Sequence, residues 1–328
     1  MPIDVLTIGN AIVDVLGRVD EAFLENNNLV KASMRLIDEP EAHRLYELVG
    51  PSVIISGGSA ANTAAGISSL GGRAAFIGKV RNDQLGEFFT HDIRATGVIF
   101  EAQPSTSGPA TARSFILVTP DGERTMNTYL GACTTLSPKD IDKFTVEEAT
   151  ITYLEGYLWD PPAAKDAFVK AARLAREAGR KVALTLSDSF CVERHRSSFK
   201  ELIARDIDIL FANEKELASF YETRFFDEAL QLVRKQVELA VLTRSEAGSI
   251  VAFRDEVHVV EAKEVAQLVD ATGAGDLYAS GFLFGLTRGR PLVECARLGS
   301  LAAAEVISHI GARPQTSLKA LAEEAGLG

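Results

Sequence analysis

A turn of small residues between two acids, at positions 270–276, is the stretch of this chain best suited to chemistry. It reads Asp-Ala-Thr-Gly-Ala-Gly-Asp and leads into an apolar segment that predicts a helix. Glycines permit a tight turn and let a ligand approach the backbone. Unpaired amides at a helix start carry partial positive charge, so this corner is expected to bind an anion such as phosphate. Asp276 could take a proton from an attacking hydroxyl while the amides hold the phosphate. The alternative is an ordinary turn with an acidic cap.

Polar side chains also follow two other predicted strands. In α/β sheets, ligand-binding sites usually lie at the carboxyl ends of the strands. Asn10 and Asp14 come after the first strand, either as ligand candidates or as a turn Asn and a surface Asp. Asn213 and Glu216 come after a later strand. Their amide and carboxylate oxygens suit Mg²⁺, but the same pair could simply cap a helix.

A pair of glycines opens a predicted helix that is rich in small residues. Gly57 and Gly58 begin it, and Asn62 lies one turn further on. The glycines could form a hinge or let a ligand reach the backbone, with the Asn62 amide pointing towards that ligand. Small residues could equally serve close packing between helices.

Two further segments have two readings each. Thr243, Arg244 and Gly248 lie in a turn after a strand, and they could lie along a nucleotide or only reverse the chain. Arg124 follows a hairpin signalled by Pro-Asp-Gly at 120–122. It is either a phosphate contact or a charge on a strand face.

Composition restricts the class of protein. The 328 residues are 46% hydrophobic and carry a net charge of −11. An acidic chain has no general attraction to nucleic acid or to an anionic membrane, so bound phosphate must be held by local geometry. Three separated cysteines fit a reducing compartment better than disulfides or zinc. No apolar run is long enough to span a bilayer and the start lacks a basic signal sequence, which predicts a cytoplasmic protein.

The order of predicted elements indicates an α/β protein. Strands and helices alternate in the second half, including a helix at 197–204, and this predicts a mostly parallel sheet covered on both faces. A strand is also expected at 98–102. Short strands without long helices between them, at 15–56 and around the hairpin, favour antiparallel pairing.

Together these motifs resemble the ribokinase-like (PfkB) family of carbohydrate and nucleoside kinases, nearly from end to end. Gly57-Gly58 with Asn62 resembles the first signature of that family, and Asp270 to Asp276 resembles the second. Asn213-Glu214-Lys215-Glu216 matches its NxxE motif.

Three positions depart from the family pattern. Ala271 stands where Thr is usual, which we expect to alter turn packing rather than chemistry. Arg81 replaces a glycine, and Gln315 stands where the family's cation site favours a small residue.

The resemblance implies a three-layer αβα fold with a small β-sheet lid. Residues 1–14, 57–98 and 131–328 would form the large domain that binds nucleotide and substrate. Residues 15–56 and 99–130 would form the lid, closing over the substrate to exclude water. Exposed lid edges would allow a homodimer, whereas adenosine kinase relatives are often monomers.

The implied activity is ATP-dependent phosphorylation of a primary hydroxyl. Asp276 would be the base, and the amides of Gly273, Ala274 and Gly275 would hold the transferring γ-phosphate. The positive charge of Arg124 would stabilise the negative charge on the phosphates. Positioning and charge stabilisation supply most of the catalysis in such phosphoryl transfer.

The implied cofactors are ATP and Mg²⁺, with K⁺ as a further candidate. Asn213 and Glu216 would organise Mg²⁺, mostly through water, and K⁺ would lie near Asp270, Thr272 and Gly311. Residues expected along the nucleotide are Asn213, Thr243, Arg244, Gly248 and Gly275.

Within the family, the spacing of Asn10 and Asp14 looks more like that of adenosine kinases than that of ribokinase. Asp14 would accept ribose hydroxyls, helped by Asn10, Gly57, Gly58 and Asn62. A purine would pack on Ile12, Tyr157 or Leu158, and Phe190. The expected reaction is therefore phosphorylation of a nucleoside 5′-hydroxyl, most of all that of adenosine. The alternatives are a kinase of ribose, fructose or a related sugar, and a nucleotide-binding protein without turnover.

Overall fold

A computed structural model describes residues 2–328 of the chain. They form thirteen strands, which are in chain order β1 (Ile3–Ile8), β2 (Ile12–Arg18), β3 (Met34–Leu36), β4 (Ser52–Gly57), β5 (Ala74–Ile77), β6 (Ala112–Val118), β7 (Arg124–Tyr129), β8 (Ala149–Glu155), β9 (Lys181–Thr185), β10 (Ile209–Asn213), β11 (Leu239–Thr243), β12 (Ser249–Phe253) and β13 (Glu256–Val260). The α-helices are α1 (Glu21–Asn26), α2 (Glu39–Leu48), α3 (Ser59–Ser69), α4 (Gln84–Ala95), α5 (Lys143–Glu148), α6 (Pro162–Glu177), α7 (Ser189–Asp206), α8 (Glu214–Tyr221), α9 (Phe226–Val233), α10 (Ala274–Thr287), α11 (Leu292–Val306) and α12 (Leu318–Glu324).

The larger sheet has eight strands in the order β13-β12-β11-β10-β9-β8-β1-β5. The six strands from β11 to β5 pair in parallel, and only β12 and β13 are antiparallel. Every residue of β1 and β5 is buried, as expected where helices cover both faces of a parallel sheet. Helices α3, α10 and α11 pack together on this sheet, and α5, α6, α7 and α8 form a second group. The predicted mostly parallel α/β architecture is confirmed.

The smaller sheet has five strands in the order β3-β7-β6-β2-β4. One of its faces is covered by α2, where Leu45 packs with Val15, Phe115 and Tyr129 in a separate hydrophobic cluster. Strand β2 begins at Ile12 and β4 ends at Gly57, so the sheet extends slightly beyond the segment 15–56. We propose that this sheet is the lid, and that the two domains divide as the sequence indicated except that the first lid segment runs from Ile12 to Gly57.

Three local predictions were wrong. The small sheet is antiparallel only in part, because β2 pairs in parallel with β6 and β3 pairs in parallel with β7. The strand expected at 98–102 is reduced to a single bridge between Ile99 and Ala75. Helix α7 begins at Ser189, well before the predicted residue 197, because the Asp188 side chain accepts the Cys191 amide and caps the helix there.

Candidate active site

The Asp276 carboxylate lies in the first turn of α10 and is held by two donors from α3. Ser59 Oγ donates to one carboxylate oxygen at 2.6 Å, and Asn62 Nδ2 donates to the other at 3.0 Å. Burial raises the pKa of Asp276, while these two hydrogen bonds oppose the rise. The carboxylate is therefore oriented and kept available as a proton acceptor.

Free backbone amides lie at the start of α10, the helix whose first turn carries that carboxylate. Within residues 2–328, the amides of Gly273, Gly275 and Asp276 meet no backbone acceptor. The amide of Ala274, which the sequence placed in the anion hole, donates to the Ala271 carbonyl at 3.3 Å. A Cβ on Gly275 would meet no atom within 4 Å, so a ligand has room to approach. The geometry suits an anion beside Asp276.

The other acid of the turn, Asp270, is buried and anchors the backbone. It accepts the amides of Thr272 and Gly311, each at 2.9 Å, and it also pairs with the Arg124 guanidinium. Arg124 donates in addition to Thr272 Oγ1 at 2.7 Å. Since Arg124 belongs to β7 of the small sheet, this cluster joins that sheet to the start of α10. All these donors leave the Asp270 carboxylate little capacity for K⁺, so a K⁺ site here remains a prediction based on backbone oxygens.

Asp14 lies inside β2, opposite Ile55 of β4, rather than in a turn after the first strand. A Cβ on Gly57 would lie 2.2 Å from Asp14 Oδ2. Gly58 has φ of +92°, and a Cβ there would lie 2.2 Å from the Asn10 carbonyl oxygen. The two glycines are thus required for the chain to lie against both segments.

Burial raises the pKa of Asp14 to about 7. The positive charges of Arg313 and Arg124 act against this rise, whereas the charges of Asp276 and Asp270 add to it. The backbone of Gly57 lies against the Asp14 carboxylate, and Ser59, two residues later, binds Asp276, so both carboxylates lie beside the start of α3.

Asn10 was predicted to contact the substrate, but its side chain is bound to the Glu155 carboxylate. Asn10 Nδ2 donates to Glu155 Oε1 at 2.6 Å, and the Ala60 amide donates to Glu155 Oε2 at 2.8 Å. Burial raises the pKa of Glu155 to about 7. Sequence reasoning missed Glu155, although an acid that ends an apolar strand was a usable signal.

Arg313 was also missed. It follows α11 in the loop that contains Gly311, and its Nη1 contacts Asp92 Oδ2 at 2.7 Å. Its Nε lies 3.5 Å from Asn62 Oδ1. Nothing in the local sequence pointed to this position, since a basic residue in a loop is usually exposed.

Asn213 and Glu216 form a capping box at the start of α8. Asn213 Oδ1 accepts the Glu216 amide at 2.9 Å, and the Glu216 carboxylate accepts both the backbone amide and Nδ2 of Asn213. Burial raises the pKa of Glu216 to about 7. Because both carboxylate oxygens already accept hydrogen bonds, the pair fits a Mg²⁺ held through water better than one bound directly. No three His, Cys, Asp or Glu side chains of residues 2–328 gather into a metal-binding group.

The ends of β10 and β11 lie side by side, with Asn213 opposite Thr243. Arg244 donates to Glu214 Oε1 at 2.7 Å, and its amide donates to the Gly248 carbonyl at 2.8 Å. Gly248 has φ of +81°, and a Cβ there would lie 2.1 Å from the Val260 carbonyl oxygen. The turn is therefore fixed by its own contacts, next to the capping box.

The four residues proposed to pack on a purine differ in exposure. Leu158 is buried in the main hydrophobic core. Ile12 and Tyr157 are partly buried, and the Tyr157 hydroxyl donates to the Ser187 carbonyl at 3.2 Å. Phe190 is 53% exposed, with the Arg194 guanidinium 4.1 Å from its ring centre. Of the four, Phe190 presents the most open ring.

Within the described residues, no helix has the length and apolar character needed to cross a membrane.

Comparisons with known proteins agree on the family and differ in the acceptor that they name. The sequence profile described as pfkB family carbohydrate kinase matches residues 34–319. The chain is 56% identical to the adenosine kinase of Sinorhizobium meliloti, whose crystal structure superposes with a TM-score of 0.94 and covers 99% of this chain and 100% of that one. It is 52% identical to a structure from Rhizobium etli CFN 42 described as a "probable sugar kinase", with a TM-score of 0.95 and full coverage of both chains. A 5-dehydro-2-deoxygluconokinase of Shouchella clausii is 29% identical over 82% of this chain and 86% of its own.

Proposed function

Because this chain belongs to the pfkB family of carbohydrate kinases, we propose that it transfers the γ-phosphate of ATP to the 5′-hydroxyl of a nucleoside, with adenosine as the expected acceptor. The members of this family are phosphotransferases that use an alcohol group as acceptor. One observation carries the proposal for the site: the Asp276 carboxylate is held by Ser59 and Asn62 beside the free amides that begin α10.

The reaction follows from that arrangement. The acceptor hydroxyl attacks the γ-phosphorus, the bond to the β-phosphate oxygen breaks, and the hydroxyl proton passes to Asp276. The amides of Gly273 and Gly275 hold the negative oxygens of the transferring group, where fixed dipoles are most effective because they need no rearrangement. The products are the phosphorylated acceptor and ADP.

The small sheet supports this chemistry by covering it. Arg124 reaches from β7 to Asp270 and Thr272 immediately before the anion-binding amides. We propose that this contact holds the lid over the acceptor and excludes water, which would otherwise compete with the hydroxyl. Arg124 would also add positive charge near the phosphates.

Mg²⁺, when bound, would neutralise charge on the ATP phosphates and orient them. Glu216 and Asn213 would hold its water shell from the end of β10. The raised pKa of Glu216 is in keeping with a carboxylate whose charge is not balanced by a protein cation.

The choice of a nucleoside as acceptor rests on the similarity to an adenosine kinase and on the residues proposed to bind the acceptor. The similarity to an adenosine kinase extends over almost the whole chain. We assign Asp14 to the ribose hydroxyls and the exposed Phe190 to the base. A sugar kinase is the second candidate, because similar proteins include a 5-dehydro-2-deoxygluconokinase. A nucleotide-binding protein without turnover is disfavoured because Asp276, the glycine turn and the pair of Asn213 and Glu216 are all present.

A coupled assay of ADP release tests these alternatives. It would compare adenosine, inosine, ribose, fructose and 5-dehydro-2-deoxygluconate, each with and without K⁺, using Asp276→Asn to correct for contaminating kinases. We expect the highest kcat/KM with adenosine. Turnover of sugars alone would overturn the nucleoside assignment, and no turnover with any acceptor would favour a binding protein.

A further inference from the structure

Arg313 presents an unsatisfied guanidinium nitrogen beside the acceptor crevice. Its side chain is only 14% exposed, and Nη1 is held by Asp92 of α4 at 2.7 Å. The Nη2 atom is fully buried and meets no hydrogen-bond partner in residues 2–328. A buried donor without a partner costs free energy, so such an atom calls for an explanation.

The position of the free nitrogen follows from the shape of the group. In the planar guanidinium, Nε and Nη2 lie on one edge, which can bind two acceptors in parallel. Nε faces Asn62 Oδ1 at 3.5 Å, and Asn62 Nδ2 in turn donates to Asp276. The edge with the free Nη2 is therefore turned towards the group that holds the proposed base.

The loop that carries Arg313 also lies close to Asp14, because a Cβ on Gly311 would lie 3.3 Å from Ile55 Cδ1 and Ile55 pairs with Asp14 between β4 and β2. Among the positive charges that oppose the effect of burial on the pKa of Asp14, that of Arg313 acts most strongly, ahead of Arg124. Arg124 is already bound to Asp270 and Thr272. Arg313 thus combines a donor without a partner with proximity to Asp14 and Asn62.

We propose that Arg313 is an acceptor-binding residue that donates from Nη2 to a sugar hydroxyl bound by Asp14. A hydroxyl can donate one hydrogen bond and accept others, so it can donate to the carboxylate and accept from the guanidinium at once. This inference rests on the proposed function, because it assigns the residue to the same acceptor site. It makes Arg313 a determinant of specificity, since an acceptor without that hydroxyl leaves two buried groups unpaired.

The test compares adenosine with 2′-deoxyadenosine and 3′-deoxyadenosine in the wild-type enzyme and in Arg313→Met. In the wild type, removing the hydroxyl that Arg313 contacts should lower kcat/KM about 10- to 100-fold. In Arg313→Met the same removal should change kcat/KM by no more than about threefold, since the donor is already missing. The preference for the other hydroxyl should remain as in the wild type. Unchanged preferences for both hydroxyls would overturn the proposal.

Asp92→Asn is the matched control, because it removes the anchor of Arg313 and keeps the guanidinium. We expect this variant to retain the preference for both hydroxyls. If Asp92→Asn and Arg313→Met lower kcat/KM equally for all three acceptors and lower Tm equally, Arg313 only supports the structure and the proposal fails. Should Arg313→Met not fold, Arg313→Gln takes its place, since it keeps part of the volume without the charge.

The experiment distinguishes failure of the Arg313 proposal from failure of the proposed nucleoside kinase activity. If the wild type phosphorylates sugars but not nucleosides, the nucleoside assignment fails, and the same comparison is made with deoxy forms of the active sugar. If nothing is phosphorylated, calorimetric binding of adenosine and its deoxy forms to the wild type and to Arg313→Met decides. A hydroxyl preference that depends on Arg313 supports the inference, and one that does not, or no binding at all, overturns it.

Discussion

Asn62 and Asp276 are joined by a hydrogen bond of 3.0 Å, although 214 positions separate them in the sequence. Asn62 lies in the first half of α3, and Asp276 lies in the first turn of α10. The pairing of these helices brings the proposed acceptor site together with the free amides at the start of α10. Transfer of a phosphoryl group needs its two reactants placed in this way, since most of its catalysis is positioning.

Asp276→Asn should lower kcat by a factor of about 10² to 10⁴, the range typical of a lost general base. The side chain keeps its size and can still accept a hydrogen bond from Ser59, so nucleotide binding should change little. The coupled assay measures kcat, and calorimetry with ATP measures binding. Activity within threefold of the wild type would rule out the base role.

Asp14→Asn should make the protein more stable while weakening acceptor binding. The folded-state pKa of Asp14 is about 7 against an ordinary value of 3.8, so above pH 3.8 the unfolded chain loses this proton more readily than the folded one. Asp14 therefore destabilises the wild type increasingly as the pH rises from about 4 to about 7, and the effect is constant above that. The variant lacks this penalty.

The expected gain in the free energy of unfolding at pH 8 is at most about 4 kcal/mol, from 1.36 kcal/mol for each pKa unit. Denaturant unfolding at pH 4.5 and pH 8 measures it, and the gain should be much smaller at the lower pH. KM for the acceptor should rise at least about tenfold through the loss of a charged hydrogen bond. Equal stability at pH 8 would contradict the burial of a charged Asp14.

Gly57→Ala should raise the KM of the acceptor about tenfold or more, because its Cβ would lie 2.2 Å from Asp14 Oδ2 and must displace that carboxylate. Gly50→Ala is the control, since a Cβ there meets nothing within 4 Å. Steady-state kinetics of the two variants should differ clearly. Equal KM values would show that the position of Asp14 does not matter for the acceptor.

Glu216→Gln separates the two readings of the capping box. Glutamine is accepted at this position of the motif, so the free energy of unfolding should change by about 1 kcal/mol or less. The apparent Mg²⁺ affinity in the kinase assay should fall about 10- to 100-fold if the charge organises the metal. Glu214→Gln, on the same helix but paired with Arg244, should leave the Mg²⁺ dependence unchanged. An unaltered Mg²⁺ dependence in Glu216→Gln would leave the pair as a helix cap alone.

Local sequence patterns predicted the parallel sheet and the turn before α10, but not the contacts of Glu155 and Arg313. Alternating strands and helices indicated the parallel sheet, and the resemblance to the family is confirmed by the match over residues 34–319. The turn before α10 could be interpreted directly, because a glycine at φ of +80° and free amides at a helix start are properties of neighbouring residues. The start of α7 was missed because an Asp188 cap competes with other turn signals nearby.

What the sequence could not provide is the pairing of side chains across the fold. Asn10 was expected to face the substrate, yet it binds Glu155, which is 145 positions away. Asp14 lies against Gly57 because the pairing of β2 with β4 sets which side of the sheet it occupies, and a shift of one residue would reverse that.

The sequence by itself determined the class of fold, the family and the turn that we propose binds an anion, since these depend on short spacings and on the conformations that glycine permits. Only the tertiary structure decided which charged groups meet around that turn. Arg124 reaches Asp270 from the small sheet, and Arg313 comes to Asn62 across 251 positions. Such contacts depend on how whole elements pack, and packing joins residues without regard to their distance along the chain.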